Sequence, residues 1–370
     1  MRIGLIATSR SGSTYFRRFL CNTFGLYDPA SWLKKNDYKD IEKENWATQP
    51  HLLKILPHYI PEEQHFGEMI SGFPCIWLYR KDVLSQFLSH VTRLRTKVNH
   101  IHYENERPDI VYHFAAYAAE GLSPFIRKYN YENNLIASTN LITNSIQYDV
   151  KRFVFASSMS VYGDKYEPPF SEELQQFPID PYGIAKFAVE QDLNIAYEQH
   201  GLKYTIVRPH NFYGQNQNIW DKYRNVLGIW MYQYLNGEPM TIFGNGEQTR
   251  AFTFIDDVLE PMWKVGIQDN CSKEIINLGG TKYYTINESN ETMRKVFKGG
   301  DYVRKEPRHE VKDAHPTWKK SVELLNYEDK TTLYDGLSKM WEWVKKQPHR
   351  DRFHWGDYEV ERGIYKVWEK

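Results

Sequence analysis

Short apolar runs that end in polar or glycine-bearing turns recur at residues 2–7, 52–56, 75–79, 110–115, 152–156, 204–207 and 274–278, each of strand length. Between them, residues 14–23, 83–95, 133–147, 181–200 and 331–346 carry helical patterns. Strand then helix, repeated, predicts an α/β fold: a mostly parallel sheet covered on both faces. No repeat or low-complexity tract interrupts the pattern, and its least structured spacer is the polar, proline-containing stretch 102–109. Three parts follow: residues 1–108, residues 109–347, and a charged tail over 348–370 that ends in aromatic residues and has no function legible in the sequence.

Composition narrows the partners more than the fold. Lys plus Arg and Asp plus Glu both total 47 in 370 residues, so no whole-chain charge marks a binder of nucleic acid or an anionic membrane. No apolar run reaches the length of a membrane span, and the polar turn soon after Met1 leaves no signal-peptide core. Cys21, Cys75 and Cys271 are odd in number and far apart, which fits neither a disulfide framework nor a zinc site and points to a reducing, cytoplasmic setting. His100, His102 and His113 have no placed carboxylate partner, so no metal site is expected.

The chemistry concentrates in Asp-Pro-Tyr-Gly-Ile-Ala-Lys, residues 180–186. Asp180 suits a helix N-cap and Pro181 the first helical position, and the i, i+4 spacing puts Tyr182 and Lys186 on one helical face. An ammonium beside a phenol favours the phenolate and lowers its pKa toward the range of a general base. Upstream, the strand Arg-Phe-Val-Phe-Ala runs into a turn holding Ser157, Ser158 and Ser160, at the strand end where open α/β sheets build their sites. A hydroxyl there can hold the substrate oxygen that Tyr182 deprotonates.

With those residues stand IVYHFAAYAA, YENNLIASTNLI, YTIVRPHNFYG, MTIFGNGEQTRAFTFIDDV, EIINLGG and the region around Arg308, in that order. Residues 109–347 thereby resemble the extended short-chain dehydrogenase/reductases, and most closely the nucleotide-sugar epimerases similar to UDP-glucose 4-epimerase. The resemblance implies a Rossmann-like doubly wound sheet with a smaller C-terminal substrate-binding part. It implies NAD as cofactor, a nucleotide-sugar substrate, a possible homodimer, and 4-epimerisation through transient oxidation to a 4-keto sugar. It also implies Ser158, Tyr182 and Lys186 as the catalytic set. Phe114, Ala115, Asn134 and Pro209 would join Tyr182 and Lys186 around the cofactor, while Asn211, Arg250 and Arg308 would meet the substrate. Met159 and Ser160 follow Ser158 with no acid beside it, which favours epimerisation or simple redox over dehydration or decarboxylation.

Before residue 110 the family's opening G-x-x-G-x-x-G turn is missing, since Gly4, Gly12, Gly25, Gly67 and Gly72 do not form that spacing. NAD binding is therefore expected to be weak or lost. In its place stands a strand, then a loop with Arg10, Ser11, Gly12, Ser13 and Thr14, then a helix, a plausible phosphate nest. That loop, with Arg80 and Ser89 further on, is similar to the 5′-phosphosulfate and 3′-phosphate segments of sulfotransferases. Two alternatives follow: a sulfotransferase using 3′-phosphoadenosine 5′-phosphosulfate, and a catalytically inactive chimera that binds a nucleotide-sugar at most.

Overall fold

A computed structural model describes the backbone of residues 3–7 and the whole of residues 108–369. Five parallel strands form the central sheet in the order β1 (Ile3–Ala7), β2 (Ile110–Phe114), β3 (Arg152–Ala156), β4 (Tyr204–Pro209) and β5 (Glu274–Leu278). β2, β3 and β4 are buried at every position but the last, which is why their sequences are mostly apolar rather than alternating, with His113, Arg152, Thr205 and Arg208 as buried polar exceptions. Ile3 stands opposite Ile110, so the first apolar run of the chain pairs with the strand that follows the 102–109 spacer. The other readings before residue 108, including the strands at 52–56 and 75–79, the helices at 14–23 and 83–95, and the loop of Arg10 to Thr14 with Arg80 and Ser89, lie outside the described residues.

Alternation across the sheet sends successive side chains to opposite layers. On one face, Ile110, Tyr112, Val154, Val207 and Ile276 pack against Val258, Met262 and Trp263 of a helix spanning Ile255–Ile267. That helix approaches closely because Gly266 has no side chain: a Cβ there would lie 2.1 Å from the Tyr112 hydroxyl, which donates to the Trp263 carbonyl. On the other face His113 shares a hydrogen bond with Ser138 of the helix Ala137–Gln147, beside the long helix Pro181–His200.

The predicted helix 181–200 is present with both ends as expected, capped by Asp180, whose carboxylate accepts from the Tyr182 and Gly183 amides, and closed by Gly201 at φ 74°. The predicted helix 133–147 is longer: it opens at Arg127–Tyr131, passes through a π turn at Glu132–Ile136, and continues over Ala137–Gln147. The early start has a remote cause. Glu359 accepts hydrogen bonds from the first-turn amides of Lys128 and Tyr129, supplying from the tail a cap that no local side chain gives.

Beyond β4 the chain builds a second core from Tyr213, Trp230, Met240, Phe252, Met293, Leu337 and their neighbours. This is the smaller part expected after the sheet. It places the loop after β4 over the C-terminal edge of β2, β3 and β4.

Candidate active site

A cavity of about 340 Å³ opens at that edge, walled by Phe114, Ala156, Ser158, Val207 and Pro209 from the strand ends and by Tyr182 and Lys186 from the helix between β3 and β4. Ser158 caps the short turn Met159–Val161 by accepting from the Ser160 amide, and it lies near enough to Tyr182 to oppose the rise of that phenol's pKa. Of the three serines, Ser157 and Ser158 line the cavity and Ser160 does not. Ser157 donates to the buried Glu190, and the Ser160 hydroxyl is buried without a partner.

Lys186 donates to the Ala156 carbonyl at 2.6 Å, and its Nζ lies 4.6 Å from the Phe155 ring centre and 5.8 Å from that of Tyr182. The expected lowering of the phenol by this lysine does not hold in the free protein. Burial dominates both groups, pushing Tyr182 up and Lys186 down to about 7; Ser158 and the charge of Arg224 oppose the rise at Tyr182. A shift of that size at Lys186 costs folding several kcal/mol at about 1.4 kcal/mol per unit. The unfolded chain keeps this proton up to about 10.5, so stability should rise as pH climbs from about 7 to 10.5. Lys186→Met should raise the melting temperature at pH 7 and flatten that rise, as scanning calorimetry at pH 7 and 9 would read. A lower melting temperature at both pH values would show that burial is not what shifts this lysine.

Phe114, Pro209 and Asn211 line the cavity as expected, whereas Ala116 rather than Ala115 does so. Asn211, at φ 33°, is held by a bond from its amide to the Ala251 carbonyl. Asn134 stands behind the wall, accepting from the Tyr117 amide and donating to the Tyr117 carbonyl, so it fixes the 116–118 backbone. Arg250 and Arg308 do not line the cavity: Arg250 is bound by Glu310 at 3.1 Å and by the carbonyls of Thr249, Val311 and Lys312, and Arg308 lies over the Phe243 ring. Their charges reach the site through Glu120.

Glu120 lines the cavity and went unread in the sequence because a lone glutamate in an alanine-rich stretch carries no pattern. Burial and the neighbouring Asp180 push its carboxyl up to about 7 against the opposing charges of Arg250 and Arg308. Also unread were Gln215, Gln217, Asn218, Arg224 and Asn225 on the loop after β4. Oε1 of Gln215 and Gln217 and Nδ2 of Asn218 are buried without partners. The run Gly-Gln-Asn-Gln-Asn directly after a strand was the available signal.

Comparison with known proteins agrees with this geometry. The model of the NAD dependent epimerase/dehydratase family matches residues 80–279, starting upstream of the 102–109 spacer and taking in Arg80 and Ser89. A putative UDP-glucose 4-epimerase of Methanocaldococcus jannaschii is 29% identical over 221 residues, 59% of this chain and 70% of the relative. A UDP-N-acetylglucosamine 4-epimerase of Methanobrevibacter ruminantium, solved with UDP-N-acetylmuramic acid, superposes with a TM-score of 0.62 at 26% identity, over 65% of this chain and 78% of the other. A UDP-glucuronic acid 4-epimerase of Bacillus cereus, solved with UDP-glucuronic acid and NAD, shares the fold with a TM-score of 0.69 at 22% identity, covering 94% and 99% of the two chains. These findings support the epimerase reading and give none to the sulfotransferase alternative. With its parallel sheet and a family match across more than half its length, the chain belongs to the NAD dependent epimerase/dehydratase family.

Proposed function

We propose that this protein inverts the C4 centre of a UDP-linked sugar, using NAD. The observation that carries the reading is the convergence of Ser158, Tyr182 and Lys186 on one cavity at the strand ends. Relatives of the same family are 4-epimerases of UDP-sugars.

NAD fits the near side of the cavity. Phe114, Val207, Pro209 and Met262 offer an apolar wall for a flat ring beside Lys186, and the unpartnered amide atoms of the 215–218 loop suit a polar ligand. When bound, NAD supplies the acceptor and then the donor of the C4 hydride. Ser158 would hold the 4-oxygen while Tyr182 takes its proton and later returns it, so that atoms and charge balance over the cycle. Tyr182 acts as the base once ionised, a state that the nearby Ser158 hydroxyl and the charge of Arg224 both favour. Arg250 and Arg308 would face a diphosphate beyond Glu120, exchanging part of their bonding to Glu310 for phosphate oxygens.

A homodimer belongs to the same reading, supported by exposed Ile136, Ile184 and Ile195 on the outer helices. Cytoplasmic placement rests on the cysteine pattern; no helix among the described residues is long and apolar enough to cross a membrane.

The test is incubation of the purified chain with UDP-glucose and with UDP-galactose, with and without added NAD. The expected product is the other epimer, formed only when NAD is added, because the sequence lacks the glycine turn that would retain the pyrophosphate. Product without added NAD would show that residues before 110 hold it after all. No epimer under either condition, or a dehydrated sugar from a deoxythymidine-linked substrate, would overturn the reading.

A further inference from the structure

Residues 353–368 had no role assignable from sequence, yet they tie two walls of the cavity together. On one side Glu359 and Val360 amides donate to the Phe125 carbonyl, and the Glu359 carboxylate takes the Lys128 and Tyr129 amides. This fixes the segment that carries Ala118 and Glu120. On the other side the Phe353 amide donates to the Trp220 carbonyl, the Trp355 amide donates to the Tyr223 hydroxyl, and that hydroxyl shares a bond with Tyr358. This fixes the loop that carries Asn218, Arg224 and Asn225.

The two sides meet at Tyr117. Its ring centre is 5.3 Å from that of Trp355 and 5.3 Å from the Arg224 guanidinium carbon, and its hydroxyl donates to Asp221, the carboxylate that also pairs with Arg224. Arg224, Glu120 and Lys186 are the charged side chains among the described residues of the cavity wall. We propose that residues 353–368 form a positioning strap for the substrate, with Trp355 setting the guanidinium of Arg224 through the ring of Tyr117.

A planar guanidinium held between an aromatic face and a carboxylate has one orientation, and its remaining N–H donors then meet an anionic or hydroxyl-bearing ligand without reorganising. Removing the outer ring lets Tyr117 and Arg224 turn. Binding then suffers while Ser158, Tyr182 and Lys186, none of which touches the strap, keep their arrangement.

The substrate in the test rests on the epimerase reading, so a readout independent of turnover accompanies it. Trp355→Ala in the full chain should raise KM for UDP-galactose by about tenfold with kcat within about threefold. In hydrogen exchange, residues 117–131 and 218–225 should exchange faster. Trp355→Phe should restore most of both. In an Arg224→Ala background Trp355→Ala should change KM little further, because the two act as one unit. Should Trp355→Ala fail to fold, Glu359→Gln, which loosens only the Lys128 and Tyr129 amides, should still speed exchange at 117–131 and raise KM. Unchanged KM and exchange in Trp355→Ala, or additive effects of Trp355 and Arg224, would overturn the strap. Absence of turnover in the unaltered chain would instead overturn the epimerase reading, and exchange with calorimetric affinity for UDP-glucose would still decide the strap.

Discussion

Tyr182→Phe should lower turnover by about 10² to 10⁴, the usual share of a positioned acid–base group, while leaving the unfolding transition nearly in place. The substitution removes one hydroxyl from the cavity wall, and Phe fills the remaining volume of a side chain that is 6% exposed. Ser158 and the rest of the cavity wall are untouched, so substrate affinity should change far less than turnover. Steady-state kinetics of the purified variant beside its urea unfolding curve would check both halves. Undiminished turnover would move the proton-carrying group elsewhere, with Glu120 the next carboxyl in the wall to test.

Glu190→Ala should cost about 3–5 kcal/mol of stability, because it leaves a buried guanidinium without its counter-charge. Arg208 is 0% exposed, and Glu190 receives it through both oxygens at 3.0 and 2.6 Å while also accepting from Ser157. Nη1 of Arg208 donates to the Tyr162 hydroxyl, which donates in turn to Asn277 on β5, so the pair links the long helix to β4 and β5. Urea unfolding followed by circular dichroism gives the loss directly. A double variant, Glu190→Leu with Arg208→Met, should recover much of it, since both buried charges then disappear together. A Glu190→Ala change below about 1 kcal/mol would mean that water reaches Arg208 and hydrates it.

The elements that a local pattern determines were legible. The helix 181–200 follows from Asp180, Pro181 and the Tyr182/Lys186 spacing, and β2, β3 and β5 follow from short, largely apolar runs. That Ser158, Tyr182 and Lys186 line one cavity was legible for the same reason, since they stand in two short motifs at a strand end and a helix start. What escaped depends on residues far apart in sequence. The helix start at Arg127 is set by Glu359, and the polar loop after β4 becomes a cavity wall only when the second core folds it over the sheet. The direction of the Tyr182 shift escaped as well, because spacing reveals a neighbouring lysine but not the loss of water around both groups. Arg250 and Arg308 were found as a pair, while the Glu310 that holds both in place was not.

Glu359 caps a helix start 231 residues upstream of it. Translation at about 5–20 residues per second leaves roughly 10–50 s between the appearance of the two segments. Throughout that interval the nascent chain has Lys128 and Tyr129 uncapped and Leu122, Phe125 and Ile126 without the Tyr365 and Trp368 rings that later cover them. The sheet neighbours β2, β3 and β4 are separated by far less chain and can assemble in the meantime. During synthesis, then, this wall of the cavity stays uncovered until the tail has been made, and slowing or speeding elongation between these segments should change the yield of active molecules more than it changes the amount of chain made.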